Sequence, residues 1–113
     1  MVLSQMITDE QTLTATTADV LAGTQLAQPG VPGVYTIWAA STVGDSTITV
    51  SMGGRTVVNA GVVILRANSE IRQNEDDYFQ MVSPTGNRPV ITITEVSTAT
   101  IRVRTKFLPA MAN

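Results

Sequence analysis

The sequence contains no cysteine and no histidine. The first absence excludes disulfides, thiol nucleophiles and thiolate metal sites. The second excludes imidazole ligands, Ser-His-Asp chemistry and the usual proton shuttle near neutral pH. Charge is scarce as well: 14% of residues are ionic, seven basic against nine acidic, and a net charge of −2 gives no electrostatic footprint for wrapping nucleic acid. The longest apolar run, residues 61–65 (GVVIL), is five residues long, where a membrane-spanning helix needs about twenty. Residues 1–10 (MVLSQMITDE) have no basic start and end in two acids, so they do not read as a secretory signal.

What the chain does hold is one domain's worth of core, with 43% hydrophobic positions in 113 residues. Threonine occurs 17 times, valine 14 and isoleucine eight; these β-branched side chains are stiff at χ1 and suit a pleated surface. With few charges, solubility falls to threonine, serine, asparagine and glutamine, a composition suited to a surface that packs against other surfaces. No cofactor site is visible.

Alternation places the strands. Residues 12–16 (TLTAT) read as a first strand, after an N-terminal arm over 1–10. Residues 19–28 (DVLAGTQLAQ) could turn one short helical face, but Gly23 and Thr24 argue for an extended segment or irregular turn. The Pro/Gly cluster at 29–33 is a loop. In the strand at 34–40, Val34, Thr36 and Trp38 face one way and Tyr35, Ile37 and Ala39 the other. A turn at Gly44 and Asp45 leads to residues 46–52, with Ile48, Val50 and Met52 on one face. Gly53 and Gly54 fit a two-residue hairpin loop, since positive φ costs glycine nothing, and the return strand runs over 55–59. Residues 61–67 (GVVILRA) are apolar on both faces and read as a central, covered strand. Residues 68–77 gather Glu70, Arg72, Glu75, Asp76 and Asp77 into an exposed loop. Strands over 78–82, 89–96 and 99–107 follow, with a turn at 83–87 and a tail at 108–113. Roughly eight short strands at spacings of about 8–12 residues make an antiparallel, jelly-roll-like β-sandwich over residues 11–107 the expected fold.

The sharpest polar feature is the stripe Arg102, Arg104, Lys106, whose period-two spacing aims three of seven basic side chains at one side of one strand. It either docks on an acidic neighbour or forms the solvated face of a terminal strand that discourages edge pairing. A single-stranded nucleic acid would want aromatics interleaved with the charges, and Phe107 points inward. Glu75, Asp76 and Asp77 offer oxygen ligands, but three adjacent acids cannot all face one ion and the spaced calcium-loop pattern is missing. They read as a solvated loop, or as the acidic loop that meets the basic stripe of the next copy. Carboxylate pairs for glycoside hydrolysis can be drawn from Asp45, Glu70, Glu75 or Glu95, with no specificity.

Asp19-Val20-Leu21-Ala22-Gly23-Thr24-Gln25-Leu26, followed by a Pro/Gly loop and Thr-rich strands closing on Ile101-Arg102-Val103-Arg104, resembles small β-rich virion proteins of bacteriophages. The resemblance implies a decoration, cement or minor capsid subunit, made in the host cytoplasm and carried in the virion. It further implies a homotrimer or other homo-oligomer bound to a major capsid protein, with no catalytic residues and neither nucleic acid nor membrane as partner. The alternative from the residues themselves is a receptor- or glycan-binding module, which needs an exposed cluster among Trp38, Tyr35, Tyr78, Phe79 and Phe107.

Overall fold

A computed structural model describes residues 7–24, 26, 31–42, 46–72, 76, 78–83, 88–94 and 100–109. Among them run eight strands and no helix: β1 (Ile7–Leu13), β2 (Gly33–Ser41), β3 (Thr47–Met52), β4 (Arg55–Val62), β5 (Ile64–Leu65), β6 (Phe79–Ser83), β7 (Val90–Thr94) and β8 (Ile101–Pro109). One sheet has the order β1-β8-β2, with β6 and β5 sharing the far edge of β2; the other is β4-β3-β7. Every pairing is antiparallel except the short one between β2 and β5. The result is an all-β, sandwich-like pair of sheets around one main core.

The alternation that marks β2, β3 and β8 in the sequence is the alternation that builds this core. Tyr35, Ile37 and Ala39 of β2, Ile101, Val103 and Phe107 of β8, and Ile48 and Val50 of β3 are all buried in it, together with Ile91 and Ile93 of β7. Tyr35 and Phe107 lie opposite each other in register, and their rings stack at 4.5 Å. That stacking needs Gly33, because a Cβ there would sit 2.5 Å from the Phe107 ring and 2.5 Å from the Leu108 carbonyl oxygen. The β3–β4 hairpin turns on Gly53 and Gly54 at φ 60° and 82°, the double positive φ expected of a two-residue loop.

Three expectations are corrected. The first strand spans Ile7–Leu13 rather than 12–16, so Ile7 to Glu10 are strand and not arm. Its inward positions include Asp9 and Gln11, which blunted the apolar signal; they stay half-buried and bond each other at the sheet's flank. At the other end, Leu108 and Pro109 belong to β8 rather than to a tail. The run at 61–67 is not one central strand either. It crosses between the sheets: β4 ends at Val62, Val63 enters the core, and β5 joins the edge of β2 with Leu65 61% exposed. The register shifts between β3 and β4, and Ala60 at φ 50°, bend the chain towards that crossing.

The segment beginning at Asp19 is a turn that plugs one end of the sandwich. Thr17 and Val20 bond β7 through Ile93 and Ile91, at 2.9 to 3.0 Å. The Thr24 hydroxyl donates to the Leu21 carbonyl at 2.7 Å and accepts from the Leu26 amide at 3.1 Å, with Gly23 at φ 78° between. This local knot buries Leu21 and Leu26 completely, each worth about 1.5–3 kcal/mol in apolar burial. Arg88, 69 residues away, donates twice to the Asp19 carboxylate at 2.8 and 2.7 Å. Those bonds hold the Asp19 carboxyl below its ordinary value against the opposing effect of burial, with the Arg88 charge and the Leu21 amide assisting. A carboxyl lowered by folding stabilises fully above its unfolded value and loses that stabilisation as pH falls through its folded one. Chemical denaturation at neutral pH should therefore show Asp19→Asn less stable by about 1–2 kcal/mol. Below the ordinary value of 3.8 the difference from wild type should shrink.

Candidate functional site

The outer face of the five-stranded sheet carries the basic stripe. β8 pairs with β1 on one side and β2 on the other, so it is an interior strand, and an edge-guarding role for Arg102, Arg104 and Lys106 does not apply. Register sets the face out in rows. Thr12, Arg102 and Ala40 form one; Glu10, Arg104 and Trp38 the next; Thr8, Lys106, Thr36 and Gln80 the third; and Leu108, Val34 and Val82 the last.

The rows differ in how their charge is met. Arg104 donates through Nε and Nη2 to Glu10 Oε1 at 2.9 and 2.7 Å, a cross-strand pair at a half-exposed position worth less than about 1 kcal/mol. Lys106 holds its ammonium 5.8 Å from the centre of the Trp38 ring. Neither Arg102 nor Lys106 forms an ion pair with a described residue. Trp38 itself is only 5% exposed, packed with Ala40 and Ile71 and tilted against Tyr78 at 5.7 Å.

The cover over Trp38 is the segment expected to be an exposed acidic loop. Arg66 stands two residues before that segment, its amide bonded to the Ser41 carbonyl at the end of β2. Its guanidinium then takes the Asp76 carboxylate with both terminal nitrogens and the Glu70 carbonyl at 3.0 Å. Asp76 also accepts from the Arg72 amide at 2.8 Å, while its own amide returns to the Arg72 carbonyl. Asp76 is thus buried and paired within the chain rather than solvated; Glu75 and Asp77 lie outside the described residues. Burial pushes the Asp76 carboxyl up, but the bonds from Arg66 and Arg72 and their charges outweigh it and leave the group below its ordinary value. The clamp joins residues ten apart in sequence, and Ile71 within it packs on Trp38 and Ala40.

Of the aromatics, Tyr35 and Phe107 are fully buried, Phe79 is half-buried, and Tyr78 is 53% exposed. Burial pushes the Tyr35 phenol up to about 12 despite the nearby Arg88 charge, so it stays protonated throughout the neutral range. Among the described residues no three acids gather as metal ligands. The Arg66–Asp76 ion pair and the packing of Ile71 and Tyr78 on Trp38 left no local trace in the sequence, because the partners stand ten or more residues apart. No protein-family model matches the chain, and no curated protein matches it.

The clamp makes a checkable claim. Asp76→Ala should cost about 2–3 kcal/mol, because it removes the carboxylate that takes two hydrogen bonds from the half-buried Arg66 guanidinium. It should also raise acrylamide quenching of Trp38, the single tryptophan; unchanged quenching would mean the loop does not need the carboxylate to cover the ring.

Proposed function

We propose that the chain is a non-enzymatic structural subunit of a phage-like particle, present in the virion, which self-associates as a trimer and binds a major capsid protein as a decoration, cement or minor capsid component. The observation that carries this reading is the row Leu108, Val34, Val82. It is an apolar line across three strands on the outer face, with Val82 65% and Leu108 41% exposed, and Val31 exposed just before β2. A sheet face meant only for water would place polar side chains there.

The strand pairing supports the same reading. Counting the paired segment at 17–20 as a member and setting the two-residue β5 aside, the chain folds as a long hairpin of eight members. First pairs with last (β1–β8), second with seventh (17–20 with β7), third with sixth (β2–β6) and fourth with fifth (β3–β4). We take this as a jelly roll, an architecture shared by viral capsid and lectin domains. The lectin side of that pairing keeps a second reading alive, a glycan-binding module built on the exposed ring of Tyr78, although Trp38 is too covered to stack on a sugar.

Sedimentation velocity, alone and with purified capsid shells, decides between them. The protein should sediment as an oligomer and bind shells. Val82→Thr with Leu108→Gln should weaken both by more than about tenfold, with little change in thermal midpoint because both sites are solvent-facing. A strict monomer that ignores capsid shells overturns the proposal.

A further inference from the structure

The outer face buries two hydrogen-bond donors without an acceptor: the indole Nε1 of Trp38 and the Nε of Arg102. Trp38 is more than nine-tenths buried. The two residues sit on one face in adjacent rows, Ala40 standing opposite Arg102 and Trp38 opposite Arg104, so they are diagonal cross-strand neighbours at about 7–8 Å. Lys106, on the far side of Arg104, brings its ammonium over the Trp38 ring. Trp38 therefore has the Lys106 ammonium over its ring and Arg102 as a diagonal register neighbour, two cations that form no ion pair with a described carboxylate, while Arg104 between them is already matched by Glu10.

Donors buried in this way are costly without an acceptor, and because both atoms are covered in this state, an acceptor reaches them only as the side chains over them shift aside. The acceptor that suits them is anionic, because Arg102 and Lys106 have charge to spare. It is also small, because Glu10 on the same face and the net charge of −2 oppose a polyanion. We infer that the Trp38–Arg102–Lys106 face binds a single carboxylate from an acidic segment of a partner polypeptide. Arg102 Nε–H and the Trp38 indole N–H donate to it, and Lys106 supplies the second positive charge. This deepens the assembly reading and rests on it for the partner's presence. The apolar row Leu108, Val34, Val82 provides adhesion, and the carboxylate fixes orientation two rows away.

Trp38 is the only tryptophan, so its fluorescence reports this site directly. The full chain is titrated at constant ionic strength with an end-blocked Gly-Glu-Gly peptide, its Gly-Gln-Gly analogue and inorganic phosphate. The glutamate peptide should give a saturable change that the glutamine peptide does not. Arg102→Gln should weaken it by about tenfold, as the loss of one charge-assisted hydrogen bond would. Lys106→Gln serves as the second variant, with a smaller loss, should the first fail to fold. Equal responses to the two peptides, or wild-type binding by both variants, overturn the inference. So does a response to phosphate alone, which would assign the face to a free anion. Sedimentation of the same samples separates the two claims: assembly without a peptide response removes the carboxylate site only, and a peptide response from a strict monomer that ignores shells removes the virion reading only.

Discussion

The register of β8 is the constraint on which the rest depends. All seven residues of β1 and all nine of β2 pair to it, so one strand holds both the N-terminal strand and the central one. Side chains alternate with a period of two, and a slip of one residue would exchange the buried set Ile101, Val103, Thr105, Phe107 for Arg102, Arg104 and Lys106. Burying three cations in the core is prohibitive, and that asymmetry locks the register. The stacking of Tyr35 on Phe107, made possible by Gly33, then fixes β2 against β8 from the inside.

From that register the outer face follows as a consequence rather than an addition. Once β8 is interior, its basic stripe lies in the middle of a sheet and not along an edge. Each cation then meets a defined cross-strand neighbour: Thr12 and Ala40 for Arg102, Glu10 and Trp38 for Arg104, Thr8 and Thr36 for Lys106. The Arg66–Asp76 clamp lays Ile71 over the same face and narrows what remains open to Tyr78, the cations and the apolar row. In the adhesive role proposed for the chain, this one face combines a greasy line with uncompensated charge, a division of labour common at interfaces where apolar area gives affinity and charge gives orientation.

Much of the fold was legible because it is written in short-range pattern. The alternation of β2, β3 and β8 and the Gly53-Gly54 turn carry their structure within a few residues. The parts that were not legible depend on distant partners. ITDEQTL reads poorly as a strand because Asp9 and Gln11 occupy inward positions at an uncovered flank, where half-burial tolerates them. GVVIL reads as a central strand because apolarity on both faces marks burial but not which sheet is joined; here it spans the gap between two. Asp19 and Arg88 are separated by 69 residues, and Asp76 and Arg66 by ten, so each pair looks like two unrelated surface charges until the chain is folded. For the site, the sequence marked Arg102, Arg104 and Lys106 as one-sided, but Trp38 beside them and the withdrawal of Asp76 came only from the tertiary structure.

The role proposed for this molecule is to join surfaces through the outer face of its larger sheet. Lys106 is the only lysine in the chain and lies in the middle of that face, so mass spectrometry of amine acylation reads it without ambiguity. Labelling should be ready in the dissociated protein and suppressed severalfold in the assembled, capsid-bound state. Equal labelling in the two states would place the interface elsewhere and contradict the account.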